Sequence, residues 1–168
     1  MVEDKEECKD ECSLKKVKEE YKKLEKKYDL PSFSDLNKDF NVERTAEVET
    51  DFLLREMRRF ISDKVSNYLR FVESLLNPQA GSLFIFSIIK TLNMDDKKLL
   101  EKVYKEIIEI EIKIIEVDVE YNEEKEAEFI KETYRKWQAI KKDILEIHGI
   151  IRDRLGSKFE ANNKGYFG

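Results

Sequence analysis

The sequence predicts an all-α protein, an antiparallel helical bundle of long helices with a coiled-coil-like helix at its N-terminus. Its 168 residues include only five Gly and two Pro, so the elements between turns are long. Charged residues make up 41 % of the chain and both signs are interleaved, which is typical of solvated helix surfaces. Apolar residues recur in steps of three and four, and no pair of alternating segments predicts a sheet.

The chain divides into three predicted regions. Residues 1–49 hold a charged N-terminal helix, a short helix and a polar connector. Residues 50–156 form the core of the bundle, and residues 157–168 form a polar C-terminal tail that is expected to be flexible or to fold on a partner. The N-terminal helix has too thin an apolar seam to stand alone, so we expect it to pack outside the bundle or against another chain.

Helix boundaries follow from the capping residues. The predicted N-caps are Ser32 for the short helix, Thr50 for the first core helix, and either Asn93 or Asp95 for the long helix that follows. Gly156 is the predicted C-cap of the last helix. The core helices are therefore expected near 51–76, 82–92, 94–121 and 123–155, with the last two as an antiparallel pair.

The most apolar segment of the chain runs from Leu83 to Leu92. It is apolar nearly all the way round a helical wheel, so we expect the other helices to enclose it. As a helix it would extend about 15 Å, roughly half of a bilayer core, so it is interpreted as a buried element and not as a membrane span.

Composition indicates where the protein works. The charged N-terminus is followed by no apolar signal region, which predicts a cytoplasmic protein without a membrane partner. Gln occurs only twice while Lys, Glu and Ile are abundant, which is typical of a thermophilic source.

The segment from Ile108 to Ile115 allows two interpretations. Ile and charged residues alternate there as in a half-buried strand, but the longer pattern from Leu100 to Tyr121 steps by three and four without a miss, so a helix is favoured. A second apolar row lies on the other side of this helix, between flanks of acidic residues, and consists of Ile108, Ile112, Ile115 and Val119. Two apolar faces need two partners, either within the bundle or from another subunit.

This surplus of apolar surface predicts a homodimer. The simplest two-fold contact uses the second row of the long helix or, alternatively, the seam of the N-terminal helix, which consists of Leu14, Val17, Tyr21 and Leu24. The other possibility is a monomer in which the N-terminal helix folds back over the second row.

Half of the eight arginines lie on the helix predicted over 51–76, at Arg55, Arg58, Arg59 and Arg70. Guanidinium groups bind carboxylates or phosphates in a planar, bidentate way, so these residues are candidate contacts to an anionic partner such as a nucleic acid. The alternative is that they pair with acidic stripes of neighbouring helices. A net charge of −5 does not favour a protein that coats nucleic acid.

No set of residues predicts catalysis. The chain lacks a phosphate-binding glycine loop and a nucleophile elbow, and its single histidine, His148, has Leu145 three positions earlier where a di-iron motif needs Glu. Cys8 and Cys12 would share a helix face, but a zinc site needs about four ligands. We therefore expect a non-enzymatic interaction or scaffolding protein without metal or cofactor, with an uncharacterised enzyme as the remaining alternative.

Two adjacent segments carry a resemblance to a known family. The basic helix over residues 55–76 contains Tyr68-Leu69-Arg70, and residues 92–100 read Leu-Asn-Met-Asp-Asp-Lys-Lys-Leu-Leu. This arrangement, a basic helix followed by a loop and an acidic cap, resembles the helical domain of GINS-type DNA replication subunits. The small β domain of that family has no counterpart in the strand pattern of this sequence. The resemblance implies a non-enzymatic assembly subunit that acts near the replicative helicase.

Overall fold

The computed structural model describes the backbone of residues 3–79 and 82–164 and the side chains of residues 12–79 and 82–156. Every regular element in these ranges is a helix: α1 (Glu3–Tyr28), α2 (Phe33–Phe40), a 3₁₀ helix (Val42–Glu47), α3 (Leu53–Leu76), α4 (Leu83–Ile89), α5 (Met94–Val119) and α6 (Glu123–Lys164). The predicted all-α bundle is confirmed, and the helical interpretation of 108–115 is confirmed with it. No described helix combines the length and the apolar character that crossing a bilayer demands.

Two predicted caps form as the sequence indicates. The Ser32 hydroxyl accepts a hydrogen bond from the Asp35 backbone N–H at 3.1 Å and donates one to the Asp35 carboxylate at 2.7 Å. Asn93 Oδ1 accepts from the backbone N–H groups of Asp95 and Asp96 at 2.9 Å, and Asp96 accepts in return from the Asn93 N–H at 2.7 Å. Of the two candidates for α5, Asn93 is therefore the cap.

Three local expectations need correction. Thr50 accepts from the Phe52 N–H at 3.0 Å, but α3 begins only at Leu53, so Thr50 closes the turn before the helix. The connector after α2 contains a 3₁₀ helix that buries Val42 and Thr45. Gly156 does not end α6, which continues to Lys164, because glycine in a helix interior costs only about 1 kcal/mol. For the tail predicted over 157–168, the backbone of residues 157–164 continues α6, while the side chains of the tail and residues 165–168 lie outside the described residues.

The structure comprises two units, and three helices contribute to both. The first unit contains residues 1–65 and 110–135. Its core includes Tyr21 from α1, Leu36 from α2, Met57 from α3 and Ile130 from α6, all fully buried. Two ion pairs connect α1 and the residue after it to α6. Lys27 lies 2.9 Å from the Glu123 carboxylate, and Asp29 lies 2.6 Å from Lys131.

The second unit contains residues 66–109 and 136–168. Within it α5 and α6 run antiparallel: Lys102 pairs with Asp143 at 2.6 Å, and Glu109 pairs with Lys136 at 2.7 Å. The buried core residues of this unit are Val72, Leu75, Ile88, Leu100, Val103, Ile107, Trp137, Ile140, Ile147 and Ile151. The Trp137 ring packs on Tyr68 with 5.4 Å between ring centroids.

The helix α4 departs most from expectation. Its residues are Leu-Phe-Ile-Phe-Ser-Ile-Ile, and Ser82 caps it by accepting from the Ile85 N–H at 3.4 Å. Yet only Ile88 is buried, while Leu83 is 86 % exposed, Phe84 61 % and Phe86 42 %. The expectation that other helices enclose this segment is therefore wrong, because the described helices of the unit cover only the Ile88 side.

Candidate functional site

Arg58 is the centre of a buried ion cluster. Its side chain is only 2 % exposed, and its Nε donates to the Glu126 carboxylate at 2.7 Å, while Nη2 donates to Asp118 at 2.8 Å. Both acidic partners belong to the first unit, one at the end of α5 and one in the first turn of α6. Of the two interpretations that the sequence allows for this arginine, pairing with acidic residues of neighbouring helices is the one in the structure.

The pKa values of the two carboxylates in this cluster shift in opposite directions. Burial is the main influence on Glu126 and raises its pKa, against the lowering effect of the Arg58 charge. Glu126 is fully buried, and its second carboxylate oxygen accepts no hydrogen bond from the described residues. Asp118 is exposed, and its hydrogen bond with Arg58 lowers its pKa. The cluster therefore combines a carboxylate at the surface with a buried carboxylate whose charged form is disfavoured by desolvation.

The other candidate arginines differ from Arg58 in their surroundings. Arg55 is half-buried, with its guanidinium carbon 5.8 Å from the centre of the Tyr121 ring. Arg59 is exposed and donates to both oxygens of Glu56 on its own helix, at 3.0 and 3.2 Å. Arg70 is exposed and belongs to the second unit. Of the four predicted contacts to an anionic partner, Arg59 and Arg70 are thus at the surface, and Arg58 is enclosed.

The second row of α5 is largely at the surface. Ile112 is 54 % exposed, Ile115 66 % and Val119 83 %, and we call these three residues of the first unit the apolar strip. Ile108, the fourth member of the predicted row, is half-buried and belongs to the second unit. The expected second apolar face therefore exists, and the first unit leaves its part uncovered.

The N-terminal seam packs on the body of its own chain. Tyr21 is fully buried, its hydroxyl donates to the Pro31 carbonyl at 2.6 Å, and its ring meets Phe33 edge-on with 5.6 Å between centroids. Burial, with a smaller effect of Glu25, raises the pKa of this hydroxyl. The other predicted seam residues, Leu14, Val17 and Leu24, are half-buried. Of the two predicted dimer surfaces, this one is therefore partly covered by its own chain.

A second exposed apolar surface, which is not among the interaction sites predicted from the sequence, lies on α4. It consists of Leu83, Phe84 and Phe86, which we call the α4 patch. Beside it lies an apolar groove of about 400 Å³ in the second unit, lined by Tyr68, Phe71, Phe84, Ile88, Ile144, Leu145, His148, Ile151 and Arg152. The signal was present in the sequence, because a helix that is apolar on every side needs more cover than the few layers of a small bundle supply.

Comparisons with protein-family models, with curated proteins and with solved structures found no match. The remaining candidate residues for metal binding or catalysis are therefore described from their geometry alone. Among the described residues no group of three or more His, Cys, Asp or Glu side chains is arranged to hold a metal ion. Cys12 is an exposed free thiol, and the Cys8 side chain lies outside the described residues. His148 is exposed at the rim of the groove beside α4.

Proposed function

We propose that this chain is a non-enzymatic interaction module that acts as a subunit of a larger assembly. The observation that carries the proposal is the α4 patch, where three large apolar side chains face water on a helix in which six of seven residues are apolar. Soluble proteins keep contiguous apolar surface small, and larger patches mark interaction sites or aggregation hazards. A partner that covers the patch explains why such a helix is retained in a highly charged chain.

The proposed partner at this patch is a protein and not a small molecule. Phe84 lines the groove of about 400 Å³, but Leu83 and Phe86 lie outside it. A ligand confined to the groove would leave both of them in water, whereas a protein surface covers the groove and the patch together. The resemblance to GINS-type subunits supports the same role, since it implies an assembly subunit. The sequence also predicts that a second copy of the chain is one such partner.

A capture experiment tests this function. The immobilised parent chain is compared with a variant carrying Leu83→Ser, Phe84→Ser and Phe86→Ser, and with Met94→Ser, which changes another exposed apolar residue outside the patch. We expect a stoichiometric protein from the native extract to be retained by the parent and by Met94→Ser, and lost by the triple variant. Light scattering on the purified parent then measures whether the chain is dimeric.

Two outcomes contradict the proposal. Retention of the same partner by the triple variant would assign the interaction to another surface. Absence of any partner, together with turnover of a compound in an unbiased metabolite screen, would favour the enzyme alternative.

A further inference from the structure

We propose that the apolar strip of α5 binds an amphipathic helix of a partner protein whose apolar row is flanked by Lys and Arg. This inference rests on the proposed function and specifies the chemistry of one partner. The strip offers Ile112, Ile115 and Val119 at spacings of three and four residues, so their exposed side chains form one continuous line along the helix. A second helix lying along this line covers all three residues, which is the helix-in-groove mode of recognition.

The charges beside the strip select the partner. On a helical wheel Glu116 and Glu120 lie on one side of the strip, and Glu111 and Asp118 lie on the other. Glu116 and Glu120 are exposed and form no ion pair with any residue of the described ranges. The single lysine of this stretch, Lys113, is paired with Glu132 on α6. The flank formed by Glu116 and Glu120 therefore presents negative charge to an approaching helix, whereas Asp118 on the other flank is already paired with Arg58.

A second copy of the strip fits this surface poorly. In an antiparallel two-fold contact the same flanks face each other, so Glu116 and Glu120 of one copy lie against the same two glutamates of the other copy. Like charges across an interface suppress association, whereas Lys or Arg on the partner converts the same positions into ion pairs. The flank formed by Glu116 and Glu120 thus favours a basic partner over an antiparallel homodimer at this face.

A depression beside the strip supports the same choice. It encloses about 250 Å³ between α5 and α6 of the first unit and is lined by Lys113, Glu116, Val117, Lys125, Glu128, Phe129 and Glu132. Glu128, like Glu116, is exposed and forms no ion pair within the part of the chain that the structure describes. Val117 and Phe129 supply apolar surface to the same depression. An aliphatic stem with a charged head, as in Lys or Arg, matches both kinds of surface.

Synthetic helices test the inference directly. The first probe is an amphipathic peptide with Leu along one face and Lys on both flanks; the second replaces the flanking Lys with Glu, and the third has the composition of the first in scrambled order. Fluorescence anisotropy at low salt measures their binding to the full chain. We expect the Lys-flanked helix to bind about tenfold more tightly than the Glu-flanked helix, because several exposed ion pairs act together. The preference should shrink at about 0.5 M salt.

Matched variants assign the binding to the strip. Ile115→Lys should weaken binding of the Lys-flanked helix by about tenfold or more, while Met94→Lys, the same change at a similarly exposed apolar residue of α5 outside the strip, should leave it unchanged. Glu116→Lys with Glu120→Lys should reverse the preference between the two amphipathic peptides. These side chains are exposed, so circular dichroism should show unchanged helix content in every variant.

Three results would overturn the inference. The first is equal affinity for the Lys-flanked and scrambled peptides, which would indicate attraction of any cationic chain. The second is equal loss of binding in Ile115→Lys and Met94→Lys. The third is a dimeric mass of the parent that Ile115→Lys reduces to a monomer, which would assign the strip to a second copy. Each leaves the proposed function standing if the α4 triple variant still loses its partner.

Discussion

Arg58 in the first unit is buried although it is charged, whereas α4 in the second unit is exposed although six of its seven residues are apolar. Two carboxylates within 2.8 Å offset the cost of removing the guanidinium from water. At α4 the described helices meet only the side that carries Ile88. Burial in this chain therefore depends on the groups that neighbouring helices bring to a residue, and hydropathy alone does not determine it.

The largest expected effect is at Arg58. Arg58→Ala should lower the free energy of unfolding by about 3–5 kcal/mol, because it leaves Glu126 buried without its cation. Denaturant unfolding followed by circular dichroism at neutral pH measures the change. Arg59→Ala is the matched control, since the ion pair that this exposed arginine forms within the described residues is with Glu56 on its own helix, and its effect should stay within about 0.5 kcal/mol.

Apolar replacement of the pair refines this test. Arg58→Met combined with Glu126→Leu removes both buried charges, so the double variant should be more stable than Arg58→Ala. If Arg58→Ala is as stable as Arg59→Ala, the buried ion pair contributes little to the stability of the first unit. The contrast with α4 would then describe a difference in burial and not a difference in stability.

An intermediate effect is expected within α4 itself. Ile88→Ala should lower the free energy of unfolding by about 2–4 kcal/mol, because Ile88 is fully buried and its truncation leaves a cavity. Phe84→Ala removes a larger side chain from the same helix but should cost less than about 1 kcal/mol, since that ring is mostly exposed. Thermal or denaturant unfolding compares the two variants. Equal losses would mean that Phe84 is covered in solution, for example by a second copy.

The smallest expected effect is a pH dependence of opposite sign at the two carboxylates that bind Arg58. The raised pKa of Glu126 gives a stabilisation that is complete below its ordinary value of 4.5 and is lost as the pH rises through the folded-state value. The lowered pKa of Asp118 gives a stabilisation that is present above its ordinary value of 3.8 and is lost as the pH falls through the folded-state value.

Two isosteric variants separate these contributions. With rising pH, the unfolding free energy of the parent should fall relative to Glu126→Gln and should rise relative to Asp118→Asn. Denaturant unfolding at a series of pH values between about 3 and 7 measures both differences. Slopes of the same sign for the two variants would show that burial does not distinguish the two carboxylates.

The features of the fold that depend on residues close together in the sequence were predictable. The capping interactions of Ser32 and Asn93 span three residues, and the periodicity of α5 is contained within the helix. The position of Gly156 misled the prediction of the end of α6, because a glycine permits a C-cap without requiring one and its φ is not positive here.

The candidate site was only partly predictable, because it depends on distant contacts. Arg58 binds partners that are 60 and 68 residues away in the sequence. The residues next to it in the sequence therefore do not distinguish it from the exposed Arg59. The apolar strip was recognised because its acidic flanks and its spacing lie on one helix. The α4 patch was recognised as apolar, but no local pattern reveals that its neighbours leave Leu83, Phe84 and Phe86 uncovered.

The contact between Trp137 and Tyr68 gives the molecule a built-in optical reporter. Trp137 is the only tryptophan of the chain, it is buried, and it belongs to the second unit. Its emission therefore follows solvent entry into that unit alone, whereas far-ultraviolet ellipticity follows the helices of both. A substitution at Arg58 perturbs the first unit, so the interval between the fluorescence and ellipticity transitions of that variant measures how cooperatively the two units unfold.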